Sequence, residues 1–134
     1  MNELDRAIET VERYLDAMER RDLDSARTCV EASGLDLVFP GGRRFGTIEE
    51  IVRNSSGRYR FVKKRITGQD AWCAGDTIRV LITGALYGEW PDGAAFDGIR
   101  FVDWFELHGG RIVRQHVFND TGERLLEIQK KGVV

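Results

Sequence analysis

Asp103, His116 and Asp120 fall in one stretch, RFVDWFELHGGRIVRQHVFND (residues 100–120), that is otherwise rich in Phe, Val, Ile and Trp. A carboxylate beside an imidazole in apolar surroundings is a proton-transfer unit. The carboxylate raises the imidazole pKa, and partial desolvation separates the protonation states further. Such a pair can act as general base and orienter, or hold a neutral acid as a hydrogen-bond donor. Gly109-Gly110 suits a two-residue hairpin turn with positive φ at both positions. Counting outward from that turn places Leu107 opposite Ile112, Phe105 opposite Arg114, Asp103 opposite His116 and Ile99 opposite Asp120. Opposed side chains share a face. One face therefore carries Phe101, Asp103, Phe105, His116, Phe118 and Asp120, as a pocket wall would. The other carries Val102, Trp104, Val113 and Val117, suited to cover by another subunit. A one-residue slip exchanges the two sets. The Asp103–His116 pair can equally be a structural ion pair that fixes register, and Asp120 can be the N-cap of a following helix.

These residues need a scaffold. Leu4, Ile8, Val11, Leu15 and Met18 repeat at spacings of four and three, the stripe of an amphipathic helix, and Tyr14 falls on the same side. Asp22 or Asp24 can cap a short second helix containing Leu23, Ala26 and Val30. Leu35 to Phe39 predicts a strand stopped by Pro40-Gly41-Gly42. Thr47 and Glu50 form a capping-box pattern for a third helix, from Ile48 to about Asn54. Strands are expected at 60–73, 77–90, about 94–107 and 111–119, with turns at 74–76, 91–93 and 109–110. TGERLLEIQKK predicts a C-terminal helix with Leu125 and Ile128 on its inner face. Helices followed by a long antiparallel meander make an α+β domain.

At 134 residues the chain suits one domain, residues 1–134. A net charge of -2 argues against a nucleic-acid footprint over the whole surface. The basic run RYRFVKKR (58–65) is expected to be a solvated face. Arg43 and Arg44 precede a helix N-terminus, where an anion can bind. Neither a secretory leader nor an apolar run of membrane-spanning length is apparent. Cys29 and Cys73 have no metal spacing and are expected to be buried free thiols, so a cytoplasmic location is the expectation. No metal or cofactor is implied. Trp72, Tyr87, Trp90 and Phe96 can line a cavity or simply pack the core.

The order VERYLDAMERRDLDSA, LDLVFPGGRRFGT, GIRFVDWFELHGGRIVRQHVFND resembles the NTF2-like superfamily and its SnoaL-like members across residues 5 to 125. The resemblance implies a cone-shaped α+β barrel. Three N-terminal helices would pack on a curved, mostly antiparallel sheet, with a short C-terminal helix, an apolar internal cavity and commonly a dimer. Relative to ketosteroid isomerases, ERYLDAM places Tyr14, and FVDWF places Asp103, at the two oxyanion-hole positions. Phe39, before Pro40, stands where that family has its catalytic carboxylate, so steroid isomerisation is not implied. Relative to limonene-epoxide hydrolases, Asp103 and Asp120 match the two acids, but Phe101 replaces the arginine. Relative to SnoaL-type cyclases, Asp120 is the acid to carry over.

The resulting expectation is a pocket for a small apolar or aromatic molecule lined by Phe39, Phe101, Phe105, Phe118, Tyr87 and Trp90. Cofactor-free acid–base chemistry would fall to Asp103, His116, Asp120 and Tyr14. A homodimer would form through Val102, Trp104, Val113 and Val117. The alternative is a ligand-binding or dimerisation module without catalysis.

Overall fold

The computed structural model describes residues 2–132. Helix α1 (Glu3–Glu19) begins at Asn2, whose side chain accepts from the Asp5 amide at 2.8 Å. It buries Ala7, Val11, Tyr14, Leu15, Ala17 and Met18 along one side, the stripe its spacing demands. Helix α2 (Leu23–Arg27) is capped by Asp22. Helix α3 (Ile48–Ser56) is capped by Thr47, which accepts from the Glu50 amide at 3.3 Å. Helix α4 spans Thr121–Gly132. Among the described residues no helix is long and apolar enough to cross a membrane.

The strands are β1 (Asp36–Phe39), β2 (Arg43–Phe45), β3 (Phe61–Ala74), β4 (Thr77–Glu89), β5 (Ala95–His108) and β6 (Arg111–Asn119). They form one sheet in the order β2-β1-β6-β5-β4-β3. β1 runs parallel to β6, and every other pair is antiparallel. This is the expected α+β architecture, with helices packed on a curved, open sheet. Strand β2 was not expected; a 3-10 turn at Pro40–Gly42 reverses the chain so that Arg43–Phe45 pairs back on β1. Register shifts interrupt β3–β4 between Ile66 and Gly68, β4–β5 between Leu86 and Gly88, and β5–β6 between Glu106 and Leu107. An extra residue in one strand bends it and deepens the local twist, so these breaks curl the long strands around α1.

The last shift corrects the expected pairing. The turn itself is as anticipated: Gly109 and Gly110 have φ of 59 and 81, and Leu107 faces Ile112. Beyond Ile112, one extra residue, Val113, enters β6. Glu106 now faces Arg114, Trp104 faces His116, and Asp103 faces Val117. Every side chain from Arg114 onward is thereby exchanged between faces. The uninterrupted register would send Arg114, His116 and Asp120 into the core. The bulged one sends Gln115, Val117 and Asn119 instead, and burying a neutral amide costs far less than burying a charge. The exchange leaves Phe118 61% exposed on the outer face. Val117, expected at the dimer face, is buried on the inner one.

A second correction concerns the thiols. Cys29 is buried, but Cys73 is exposed, because it lies near the end of the edge strand β3.

Candidate functional site

A cavity of about 110 Å³ opens between α1, α3 and the inner sheet face. Its floor follows from the alternation of three strands. Phe101 and Asp103 of β5, Gln115 and Val117 of β6, and Lys64 of β3 all reach it. Tyr14 approaches from α1, and Phe39 and Pro40 from the end of β1.

Tyr14 and Asp103 are 1% and 0% exposed. The Tyr14 hydroxyl donates to Gln115 Oε1 at 2.9 Å. Its ring meets Phe105 edge-on with centroids 6.0 Å apart. Burial, reinforced by the negative charge Asp103 would carry, raises the Tyr14 pKa well above the ordinary phenol value. Tyr14 is therefore a neutral donor at all physiological pH values.

Neither Asp103 oxygen has a hydrogen-bond partner among the described residues. The Lys64 ammonium stands 3.8 Å from Oδ2, beyond hydrogen-bond distance. Burial pushes the Asp103 carboxyl upward, and the Lys64 charge and the Gln115 amide oppose that push only in part. Desolvation of this kind favours the neutral acid. Asp103 in its protonated form is a second donor beside Tyr14. The other carboxylate of the lining is Glu19, whose Oε2 accepts from the Lys64 backbone N–H at 3.1 Å.

The structure thus brings together Tyr14 and Asp103, with Phe39 and Phe101 among the lining as expected. It does not bring His116 or Asp120 to them. His116 lies on the outer face, where Nε2 stands 3.2 Å from Asp36 Oδ2 and the imidazole centroid lies 5.1 Å from that of Trp104. Burial pushes the Asp36 carboxyl up, but His116, Arg44 and Arg114 together hold it below the usual range. Asp120 pairs with Arg100 at 2.6 Å. The anticipated Asp103–His116 couple is absent because Val113 shifts the register.

The other aromatic expectations divide similarly. Phe105 is fully buried behind Tyr14 rather than lining the cavity. Phe118 points outward. Tyr87 also lies outside, with the Arg65 guanidinium 4.8 Å above its ring. Trp90 stacks on Phe96, centroids 4.3 Å apart, and on Tyr59 at 5.8 Å, beside Leu125 and Ile128 of α4. Those two α4 residues remain 42% and 46% exposed.

Gln115, Lys64 and Glu19 were not anticipated in the site. Gln115 was hidden by the bulge. Lys64 sits in a basic run, but strand alternation there turns Lys63 and Arg65 outward and Lys64 inward. No group of three or more His, Cys, Asp or Glu able to hold a metal occurs among the described residues.

Residues 11–115 match the family model for the SnoaL-like domain. No curated protein sequence matches the chain. Among solved structures, a protein described as a SnoaL-like polyketide cyclase from Jannaschia sp. CCS1 superposes with a TM-score of 0.68 at 19% identity, covering 96% of this chain and 93% of that one. An LEH-like epoxide hydrolase from M. tuberculosis gives 0.67 at 21% identity, over 87% and 80%. TerC, crystallised with polyporic acid, gives 0.75 at 18%, over 92% and 98%.

Proposed function

The chain belongs to the SnoaL-like domain family, and on that premise we propose that its cavity binds a small apolar or aromatic molecule for cofactor-free acid–base chemistry. One observation carries the proposal: a fully buried carboxyl, Asp103, with neither oxygen hydrogen-bonded and only the Lys64 ammonium 3.8 Å away, opens on a cavity beside the Tyr14 hydroxyl. An unsatisfied buried polar group costs about 1–3 kcal/mol, a cost that folding alone does not recover. A ligand oxygen that accepts from both Tyr14 and protonated Asp103 recovers it.

In this mechanism the ligand carbonyl competes with Gln115 for the Tyr14 proton and takes a second hydrogen bond from Asp103. Both donors are fixed before reaction and shielded from water. They strengthen as negative charge builds on that oxygen, as in an oxyanion hole. Phe39 holds the place before Pro40 and supplies no base, so Glu19 is the proton acceptor we assign. His116 and Asp120 take no part. TerC crystallised with polyporic acid is a precedent for an organic ligand on this fold.

A homodimer through the outer face belongs to the same proposal. Val102, Trp104 and the outward Phe118 supply it; Val117 does not. A cytoplasmic location is also proposed, on the free thiols of Cys29 and Cys73.

The test is a titration with 4-nitrophenol, whose absorption distinguishes phenol from phenolate. The wild type is expected to bind it and lower its pKa. Tyr14→Phe and Asp103→Asn are each expected to weaken binding about 10-fold or more, on the order expected for a lost charge-assisted hydrogen bond. Absence of binding, or binding that neither substitution changes, rules the donor pair out.

A further inference from the structure

Four cationic side chains, Arg21, Arg43, Arg58 and Lys64, line the cavity against two carboxyls, Glu19 and Asp103. With Asp103 neutral the excess is larger still. The whole chain has a formal charge of -2, so this concentration of positive charge is local to the pocket.

The arginines of this wall differ in what already holds them. Arg21 is engaged: Nη1 donates to the Met18 carbonyl at 2.7 Å and Nη2 to Ser55 Oγ at 3.2 Å. Its backbone has φ of 61, a conformation that costs most L residues about 1–2 kcal/mol. Arg43 is only half engaged. Nε donates to the Pro40 carbonyl at 2.8 Å, whereas Nη1 is buried with no partner among the described residues. Burial and the like charge of Arg58 both weigh against a charged Arg43. Neither Arg43 nor Arg58 forms an ion pair among the described residues. Two guanidinium groups that face one cavity, one with a buried unsatisfied N–H, match the planar two-oxygen geometry of a carboxylate.

We propose that the ligand is an aromatic or apolar carboxylic acid whose carboxylate is held by Arg43 and Arg58 while its body lies over Phe101 towards Asp103. The inference rests on the cavity being the ligand site and adds the chemical class that the site selects. Electrostatic focusing in a cleft of one sign raises the local concentration of anions and makes their capture salt-dependent.

The experiment titrates the full chain with benzoate and 2-naphthoate, each against its neutral amide, at low and high salt. Both acids are expected to bind at least about 10-fold more tightly than their amides, and more weakly as salt rises. Arg43→Gln and Arg58→Gln are each expected to remove most of that preference. Lys63→Gln, on the outer face of β3, is a control for net charge and is expected to leave it intact. The wild-type acid-to-amide ratio decides the matter even if an arginine variant folds poorly. Equal binding of acid and amide overturns the anion subsite, and so does a preference that survives both substitutions. If 4-nitrophenol still binds through Tyr14 and Asp103 in that case, the donor pair stands and only the ligand class falls. Failure of every probe removes both.

Discussion

Replacing Asp103 by Asn is expected to stabilise the protein while impairing its site. The carboxyl is fully buried, neither oxygen is hydrogen-bonded, and burial raises its pKa above the ordinary value. Between the unfolded pKa, near about 4, and the raised folded pKa, the unfolded chain has lost the proton and the native chain keeps it. Stability attributable to Asp103 therefore falls as pH rises through that window. Asn has nearly the same shape and no charge to desolvate. At pH 8 the gain is that linkage cost, about 1.4 kcal/mol for each pH unit by which the folded pKa exceeds the unfolded one, and each 1 kcal/mol corresponds to a Tm higher by roughly 3 °C for a chain of this length. At pH 4 the native carboxyl is protonated and the unfolded one about half so, and the gain is expected to shrink to a few tenths of a kcal/mol, about RT ln 2 at the unfolded pKa. Thermal unfolding followed by circular dichroism at the two pH values measures both. A variant less stable at pH 8 would refute the reasoning, since Asp103 would then be an ionised partner of Lys64. A gain of the same size at pH 4 would refute it too.

Deleting Val113 heals the bulge and leaves Arg114 opposite Glu106 and His116 opposite Trp104, as in the wild type, so a loss of no more than about 3 kcal/mol is expected; urea unfolding measures it, and a larger loss contradicts Val113 as the extra residue of the strand. The double variant His116→Ala/Asp120→Asn is expected to bind 4-nitrophenol as the wild type does, since both groups lie outside the cavity. Because Asp36 is held below the usual carboxylate range with help from His116, the stability it lends is present above its unfolded pKa and lost as pH falls through the lower folded one; His116→Ala is expected to lessen that acid-side loss. Phe118→Glu is expected to yield a monomer by sedimentation if the outer face is the dimer interface; an unaltered dimer excludes Phe118 from it.

The helices and the turns were legible because each rests on local chemistry. The α1 stripe, the Asp22 and Thr47 caps, and the Gly109-Gly110 turn all involve residues within a few positions of one another. The membership of the site was only half legible. Tyr14 and Asp103 lie where local periodicity and the family resemblance both place them. The far half of β6 was misassigned because a single extra residue exchanges its faces, and Val113 has no glycine or proline to mark it. A signal was nevertheless present. The uninterrupted register put Arg114, His116 and Asp120 on the core face, whereas a slip by one put Gln115, Val117 and Asn119 there, with no ionisable group. Weighing desolvation against the exposure of one Phe118 favours the slip. Strand β2 was missed because three residues are too few to show a period, and Lys64 because a run of basic residues hides the alternation of an edge strand.

The proposed site depends on Asp103 being a neutral acid in the cavity, ready to donate to a ligand oxygen. The infrared difference spectrum between the wild type and Asp103→Asn at neutral pH tests it most directly. A neutral Asp103 gives the C=O stretch of a protonated carboxylic acid in the wild type alone, shifting when 4-nitrophenol is added. A carboxylate band in its place, unmoved by the phenol, would contradict it.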